Sequence, residues 1–243
     1  MSYVLIIGAK SDIAKEIARE YAKNGYDLYL AARDVNELAD FAKDIVIRTQ
    51  KDVQLVEFDI LDYKNHQSFY DNLNKKPLGV ISAVGYLGNQ EKAQSDFAEA
   101  KRIIDTNYTG VVSLFDIIAN DFEKRKSGFI VGISSVAGDR GRKSNYVYGS
   151  AKAAFTTYLS GLRNRLYDAQ VHVLTVKPGF VDTKMTKDID LPKKLTARPK
   201  EVAKDIYKAQ QSGKSVLYTK WFWEWIMFII KMIPEWKFKG MSI

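Results

Sequence analysis

Seven short apolar runs, spaced along the chain and separated by amphipathic stretches, leave few folds open to this sequence. The runs lie at 3–7 (YVLII), 27–32 (DLYLAA), 53–58 (VQLVEF), 79–84 (GVISAV), 128–134 (GFIVGIS), 171–177 (VHVLTVK) and 215–218 (SVLY). Between them, 13–24, 35–50, 62–74, 96–125, 146–168 and 199–212 read as amphipathic helices. Strands alternating with helices at this interval imply right-handed crossovers and a parallel sheet. The strand runs are nearly continuous in apolar residues, as suits a sheet covered on both faces.

The expected fold class is therefore α/β, a Rossmann-like doubly wound parallel sheet. A single domain is expected, with residues 1–218 as the dinucleotide-binding body and 219–243 as an aromatic and basic C-terminal extension. A chain of 243 residues is long enough for one sizeable core. In such a sheet, ligands bind beyond the carboxyl ends of the strands, where strand order reverses. Functional residues should follow strands.

Composition removes several classes of chemistry. There is no cysteine, which excludes disulfides, thiolate metal sites and a cysteine nucleophile. The two histidines, His66 and His172, are too scattered to suggest a metal site, and none is expected. His172 reads as a strand residue, whereas His66 lies in a polar stretch and reads as solvated. The net charge of +8 is concentrated in 124–143 and 184–214, with acidic residues interspersed. No zinc-finger spacing, recognition helix or aromatic RNA-binding strand accompanies it, so no nucleic-acid partner is expected. The start, MSYVLIIGA, lacks a basic region and a cleavage site, so a cytoplasmic location is expected.

Gly8 directly follows the first strand, where a phosphate-binding chain must turn sharply. A helix then begins near Asp12, offering free amides and a positive dipole end, with Ser11 or Asp12 as its N-cap. Ala14 adds only a methyl group where close packing is wanted. Asp12 would repel cofactor phosphates unless its side chain turns back to cap the helix. On these residues alone, the segment is either an altered cofactor loop or an ordinary strand-to-helix turn. The second strand ends in LAARD, with Ala32 where an NAD site would carry an acid, followed by Arg33. An arginine there pairs with a 2′-phosphate, favouring NADP(H) over NAD(H), or it is simply solvated.

Further along, SSVAG at 134–138 follows the fifth strand and YGSAK at 148–152 opens a helix. Tyr148 and Lys152 are four apart and share a helix face. A phenol with a pKa of about 10 is a poor acid or base near neutrality. A neighbouring ammonium stabilises its anion and lowers that pKa, giving an acid/base catalyst for carbonyl reduction or alcohol oxidation. Ser135 can donate to the substrate oxygen as charge builds there. Tyr146 has only Ser150 four residues on, so it lacks the cation.

With these residues in place, the chain resembles a short-chain dehydrogenase/reductase over roughly residues 1–215. NYTG at 107–110 is similar to the family's Asn-x-x-Gly motif, which implies a role for Asn107 in a proton relay through water to the lysine. KPGFVDTKM at 177–185 is similar to the family's Pro-Gly loop. There Pro178 opens the loop, and Val181 and Thr183 would contact the nicotinamide carboxamide and phosphates. FDI at 58–60 matches the position whose aspartate, here Asp59, faces the adenine. The family's Thr-Gly-x-x-x-Gly-x-Gly loop becomes Ile7-Gly8-Ala9-Lys10-Ser11-Asp12-Ile13-Ala14. Its Asn-Asn-Ala-Gly becomes Ser82-Ala83-Val84-Gly85. The resemblance makes the segment after strand one a cofactor loop, with Gly8, Ser11, Asp12, Ile13 and Gly85 at the cofactor beside Tyr148 and Lys152. The altered loop, NYT, YVYGSAK and the tail together resemble one branch, the keto-reductase partners of decaprenylphosphoryl-ribose 2′-epimerases. That implies a lipid-linked 2-keto-sugar as substrate, in polysaccharide synthesis.

The tail at 221–239, WFWEWIMFIIKMIPEWKFK, holds all four tryptophans of the chain. Its unbroken apolar part, Trp225 to Ile230, is far short of the ~20 residues a bilayer span requires. Tryptophans around an aliphatic centre, with Lys220, Lys231, Lys237 and Lys239 nearby, suit a membrane interface. The alternative is a helix that lids the substrate pocket or fills a subunit contact in a homodimer or homotetramer. Three functional readings stay open: an NADPH-dependent reductase of a keto-sugar, peripheral at the inner face of a membrane; an idle nucleotide-binding scaffold, to which Asp12 points; and a reductase of small ketones.

Overall fold

A computed structural model describes residues 2–187 and 190–241. Its centre is a seven-stranded parallel sheet: β1 (Tyr3–Ile7), β2 (Asp27–Ala32), β3 (Val53–Glu57), β4 (Gly79–Ser82), β5 (Phe129–Ile133), β6 (His172–Pro178) and β7 (Val216–Thr219). The strands lie in the order β3-β2-β1-β4-β5-β6-β7, so the order reverses between β1 and β4. The helices are α1 (Asp12–Lys23), α2 (Ala39–Thr49), α3 (His66–Asp71), α4 (Gln90–Ser95), α5 (Phe97–Ile104), α6 (Gly110–Arg125), α7 (Tyr146–Arg165), α8 (Pro199–Gln211), α9 (Phe222–Met232) and α10 (Glu235–Phe238).

The two-residue period of a strand divides the sheet between two cores. In β1, Val4 and Ile6 join Ile17 and Tyr21 of α1 and Ile206 of α8 on one face. Tyr3, Leu5 and Ile7 join Phe115 and Phe122 of α6 and Phe155 and Leu159 of α7 on the other. Both faces are covered, which is why these strands contain so few polar residues.

Several elements differ from the sequence expectation. The stretch 35–50 divides into a 3₁₀ turn at Val35–Leu38 and then α2. The stretch 96–125 is interrupted by a π-helical turn at Asp105–Thr109, which separates α5 from α6. His66 is not solvated. It opens α3, is fully buried, stands 3.0 Å from Ser113 Oγ through Nδ1, and packs 5.3 Å from the Phe58 ring. Its polar sequence neighbours occupy the exposed face, while packing of α3 on α6 turns the imidazole inward. Burial lowers its pKa below the ordinary histidine value.

Candidate active site

The chain leaves β1 at Gly8 with φ +77°, and a Cβ there would stand 2.9 Å from Val84 N. Only glycine takes this turn so close to the end of β4. Ser11 is the N-cap of α1, its hydroxyl accepting from Ala14 N at 3.1 Å. Ala14 is fully buried in the core between α1 and the sheet, so its methyl group fills the space that a glycine would leave. Asp12 does not cap the helix. Its Oδ2 accepts from the backbone amide of Lys184 at 2.8 Å, which turns the carboxylate toward the segment after β6.

Two adjoining cavities follow the carboxyl edge of the sheet. The first, of 270 Å³, is bordered by Gly8, Ser11, Arg33, Asp59 and Gly85. Arg33 is exposed, with its guanidinium 4.0 Å from Asp59 Oδ2, and Asp59 Oδ1 accepts from Leu61 N at 3.0 Å. The second, of 460 Å³, is bordered by Asp12, Ile13, Ser135, Tyr148, Lys152, Pro178, Val181 and Thr183. Lys10, Ser11, Ala83, Val84 and Gly85 line both, so the two form one groove across the switch point between β1 and β4. The groove brings together every residue assigned from the sequence except Asn107, which lies just behind it.

The helix α7 is held by close packing. Ser134 Oγ donates to Lys152 O at 2.9 Å, tying the end of β5 to the helix. A Cβ on Gly138 would stand 2.7 Å from Ala153 N, so only glycine lets the turn Val136–Gly138 approach α7 so closely. Ser135 caps that turn, accepting from Ala137 N at 3.1 Å. Tyr148 and Lys152 thereby face the end of β5, with Lys152 Nζ 5.7 Å from the Tyr148 ring centroid.

Lys152 is buried and donates to Ile133 O at 3.0 Å and to Val84 O at 3.5 Å. Burial alone brings its pKa down to about 7. Burial pushes the Tyr148 hydroxyl up to about 12, and only the hydrogen bond with Ser135 acts the other way. The sequence led to the expectation of a lysine that lowers the tyrosine pKa. The amine instead points at backbone carbonyls, and its own desolvation disfavours the charge it would lend.

Asn107 is fully buried inside the π-helical turn, a local distortion frequent at functional sites. Its Nδ2 donates to Tyr86 O at 2.7 Å and to Ile103 O at 2.8 Å, and its Oδ1 accepts from Tyr86 N at 3.2 Å. It holds the chain just after Gly85. A Cβ on Gly85 would be 3.7 Å from Asn107 Oδ1 and 3.9 Å from Lys152 Nζ, so the two side chains meet at that residue.

The lining residues that escaped the sequence reading include Lys10, Arg142 and Asn145. Lys10 could have been found as a cation inside the phosphate loop. Arg142 and Asn145 gave no signal, because they fall in or beside a basic stretch that reads as a solvated face.

The C-terminal segment supports this site from behind. Trp223 of α9 packs on Gly179, meets Phe180 edge-on at 5.2 Å and donates from Nε1 to Leu195 O at 3.3 Å. Met227 is fully buried in the same cluster, with Val136. Trp221, Trp225, Phe228, Ile229 and Met232 are exposed. Among the described residues no helix is long and apolar enough to cross a membrane.

The doubly wound sheet, the glycine turn at its switch point and the Ser–Tyr–Lys grouping define a class of NAD(P)-dependent oxidoreductases acting on CH–OH and C=O groups. Comparison with known proteins gives the family. The description "short chain dehydrogenase" matches residues 2–194, and the chain belongs to that family. The uncharacterized oxidoreductase Rv2073c of Mycobacterium tuberculosis is 35% identical over 241 residues, covering 98% of this chain and 96% of that protein. An NADP-dependent 3-hydroxy acid dehydrogenase of Schizosaccharomyces pombe is 28% identical over 188 residues, covering 75% of this chain and 73% of its own length. A short-chain dehydrogenase from Sphingobium yanoikuyae, solved in complex with NADPH, superposes with a TM-score of 0.83 at 22% identity over 97% of each chain.

Proposed function

We propose that the chain is an NADP(H)-dependent carbonyl reductase. The observation that carries this reading is the convergence of Ser135, Tyr148 and Lys152 on one wall of a groove that runs continuously to Arg33. The residues fit a dinucleotide. Gly8 leaves a cradle that a Cβ would fill, the start of α1 is capped by Ser11, and Ala32 and Arg33 replace an acid at the end of β2. Gly8, Ser11 and Ile13 would hold the pyrophosphate, Arg33 the 2′-phosphate, Asp59 the adenine side, and Val181 and Thr183 the nicotinamide side. When bound, the reduced nicotinamide supplies the hydride for the carbonyl carbon. Tyr148 gives its proton to the carbonyl oxygen, which Ser135 orients through a hydrogen bond. Lys152 and Asn107 hold the path by which that proton is replaced. An NADP-dependent relative and an NADPH-bound structural neighbour support the choice of dinucleotide.

The finer reading is a lipid-linked keto-sugar met at a membrane surface. It is supported by the two faces of α9, one packed behind the cavity wall and the other exposing tryptophan, phenylalanine and aliphatic side chains beside Lys220 and Lys231. In this reading residues 1–218 are the reductase body and 219–243 a supporting and surface-seeking extension.

The test is titration of the protein with NADPH and NADH, followed by consumption of NADPH with a panel of ketones. Tight NADPH binding with turnover of a ketone is expected. A protein that neither alters NADPH fluorescence nor consumes NADPH would be a scaffold instead.

A further inference from the structure

The loop between the turn Val136–Gly138 and α7 carries two arginines in different circumstances. Arg140 is fully engaged. Its Nη1 donates to Lys231 O at 3.1 Å and Ile233 O at 3.0 Å, its Nη2 pairs with Glu235 at 2.7 Å, and its guanidinium lies 4.1 Å from the Phe238 ring centroid. It fastens the end of α9 to the loop.

Arg142 faces the cavity that holds Ser135 and Tyr148. Its Nε is shielded from solvent and has no hydrogen-bond partner, and its Nη2 reaches only Met227 Sδ, at 3.5 Å. Thioether sulfur is a weak acceptor. The nearby carboxylate is Asp139, which is already committed to Lys177 at 2.6 Å and to the Tyr218 hydroxyl at 2.7 Å. Among the described residues no carboxylate pairs with Arg142. Burial lowers its pKa, but a guanidinium keeps its charge at any physiological pH. The acidic residue on that wall, Asp12, is turned to the Lys184 amide.

A half-buried cation with no carboxylate hydrogen-bonded to it is costly to keep, and its planar fork suits bidentate pairing with a carboxylate or a phosphate. We propose that Arg142 is the recognition point for a fixed negative charge on the substrate. The cavity then selects carbonyl compounds that carry a carboxylate or a phosphate ester away from the carbonyl. This rests on the carbonyl-reductase reading above and adds the substrate class to it.

The experiment uses two matched pairs with the full chain and NADPH: 4-acetylbenzoate against its methyl ester, and dihydroxyacetone phosphate against dihydroxyacetone. Calorimetric titration of the NADPH-loaded protein with benzoate and with phenyl phosphate gives a readout that needs no turnover. The charged member of at least one pair should be favoured in kcat/KM by about ten- to a hundredfold, the worth of hydrogen bonds to a charged group. Arg142→Met, which leaves an apolar side chain against Met227, should bring that ratio to about one and abolish anion binding. Arg142→Lys should keep part of both. Preference within the first pair alone identifies a carboxylate, and within the second alone a phosphate. Equal rates within both pairs, or a preference that survives Arg142→Met, would overturn the proposal. If no ketone is reduced at all, the reductase reading fails, and the titration alone decides: anion binding lost in Arg142→Met upholds the site, and binding unaffected by it overturns the site.

Discussion

Asp12 and the backbone amide of Lys184, 172 residues apart in sequence, are joined by a 2.8 Å hydrogen bond. The bond ties the first turn of α1 to the turn that follows Val181 and Thr183. A residue that looks like a defect in a phosphate loop is instead a latch across the groove. A hydrogen bond to a charged acceptor contributes about 1.5–3 kcal/mol. Asp12→Ala should therefore let the segment around Lys184 open roughly tenfold more often. Limited trypsin digestion checks this: cleavage after Lys184 should accelerate by about that factor. An unchanged cleavage rate would mean that the bond holds nothing.

Arg33 stands exposed at the end of β2, 4.0 Å from Asp59. If it pairs with a 2′-phosphate, Arg33→Asp should raise the Kd for NADPH by about ten- to a hundredfold and that for NADH by no more than about threefold. Fluorescence titration with both dinucleotides measures the difference. Equal losses for the two would remove the 2′-phosphate contact.

Lys152 is desolvated, with a pKa brought down from 10.5 to about 7. Between those values the unfolded chain binds the proton and the folded one does not, so stability rises with pH across that window. The penalty is fully present below pH 7 and absent above pH 10.5. Lys152→Met removes it, while losing the amine's hydrogen bonds at every pH. Thermal melts of both proteins at about pH 6 and about pH 10 should show the variant gaining most at the lower pH. A difference in Tm that is the same at both would contradict the buried, depressed amine.

Much of this architecture was legible in the sequence because it depends on short-range pattern. The strands of Tyr3–Ile7 and Asp27–Ala32 fall where their apolar runs placed them, and α1 begins at Asp12 as its capping residues implied. What the sequence hid depends on contacts between distant segments. The helix expected over 96–125 breaks at Asp105–Thr109, where Gly110 packs against Ile60 O so closely that a Cβ would stand 2.4 Å away. His66 looked polar because Ser113, its partner, lies on another helix. Arg142 looked like part of a solvated basic run until α9 folded back over it.

Trp221, just before α9, and Trp225, Phe228, Ile229 and Met232 on the helix are exposed. Burying large apolar side chains is worth about 1.5–3 kcal/mol each, and nearby lysines add attraction to an anionic surface. The protein should co-sediment with vesicles containing phosphatidylserine, and its tryptophan emission should shift to the blue. Trp225→Ser together with Phe228→Ser should weaken binding by at least about tenfold. No association with anionic vesicles would leave this face for contact with protein.

Tyr148→Phe removes the proposed proton donor, and NADPH binding together with NADPH-dependent ketone reduction should be measured on wild type and variant side by side. Loss of a general acid predicts a fall in kcat of about a hundredfold or more, with the Kd for NADPH changed by less than about threefold. A variant that keeps most of its turnover would contradict the assignment of Tyr148 as the acid.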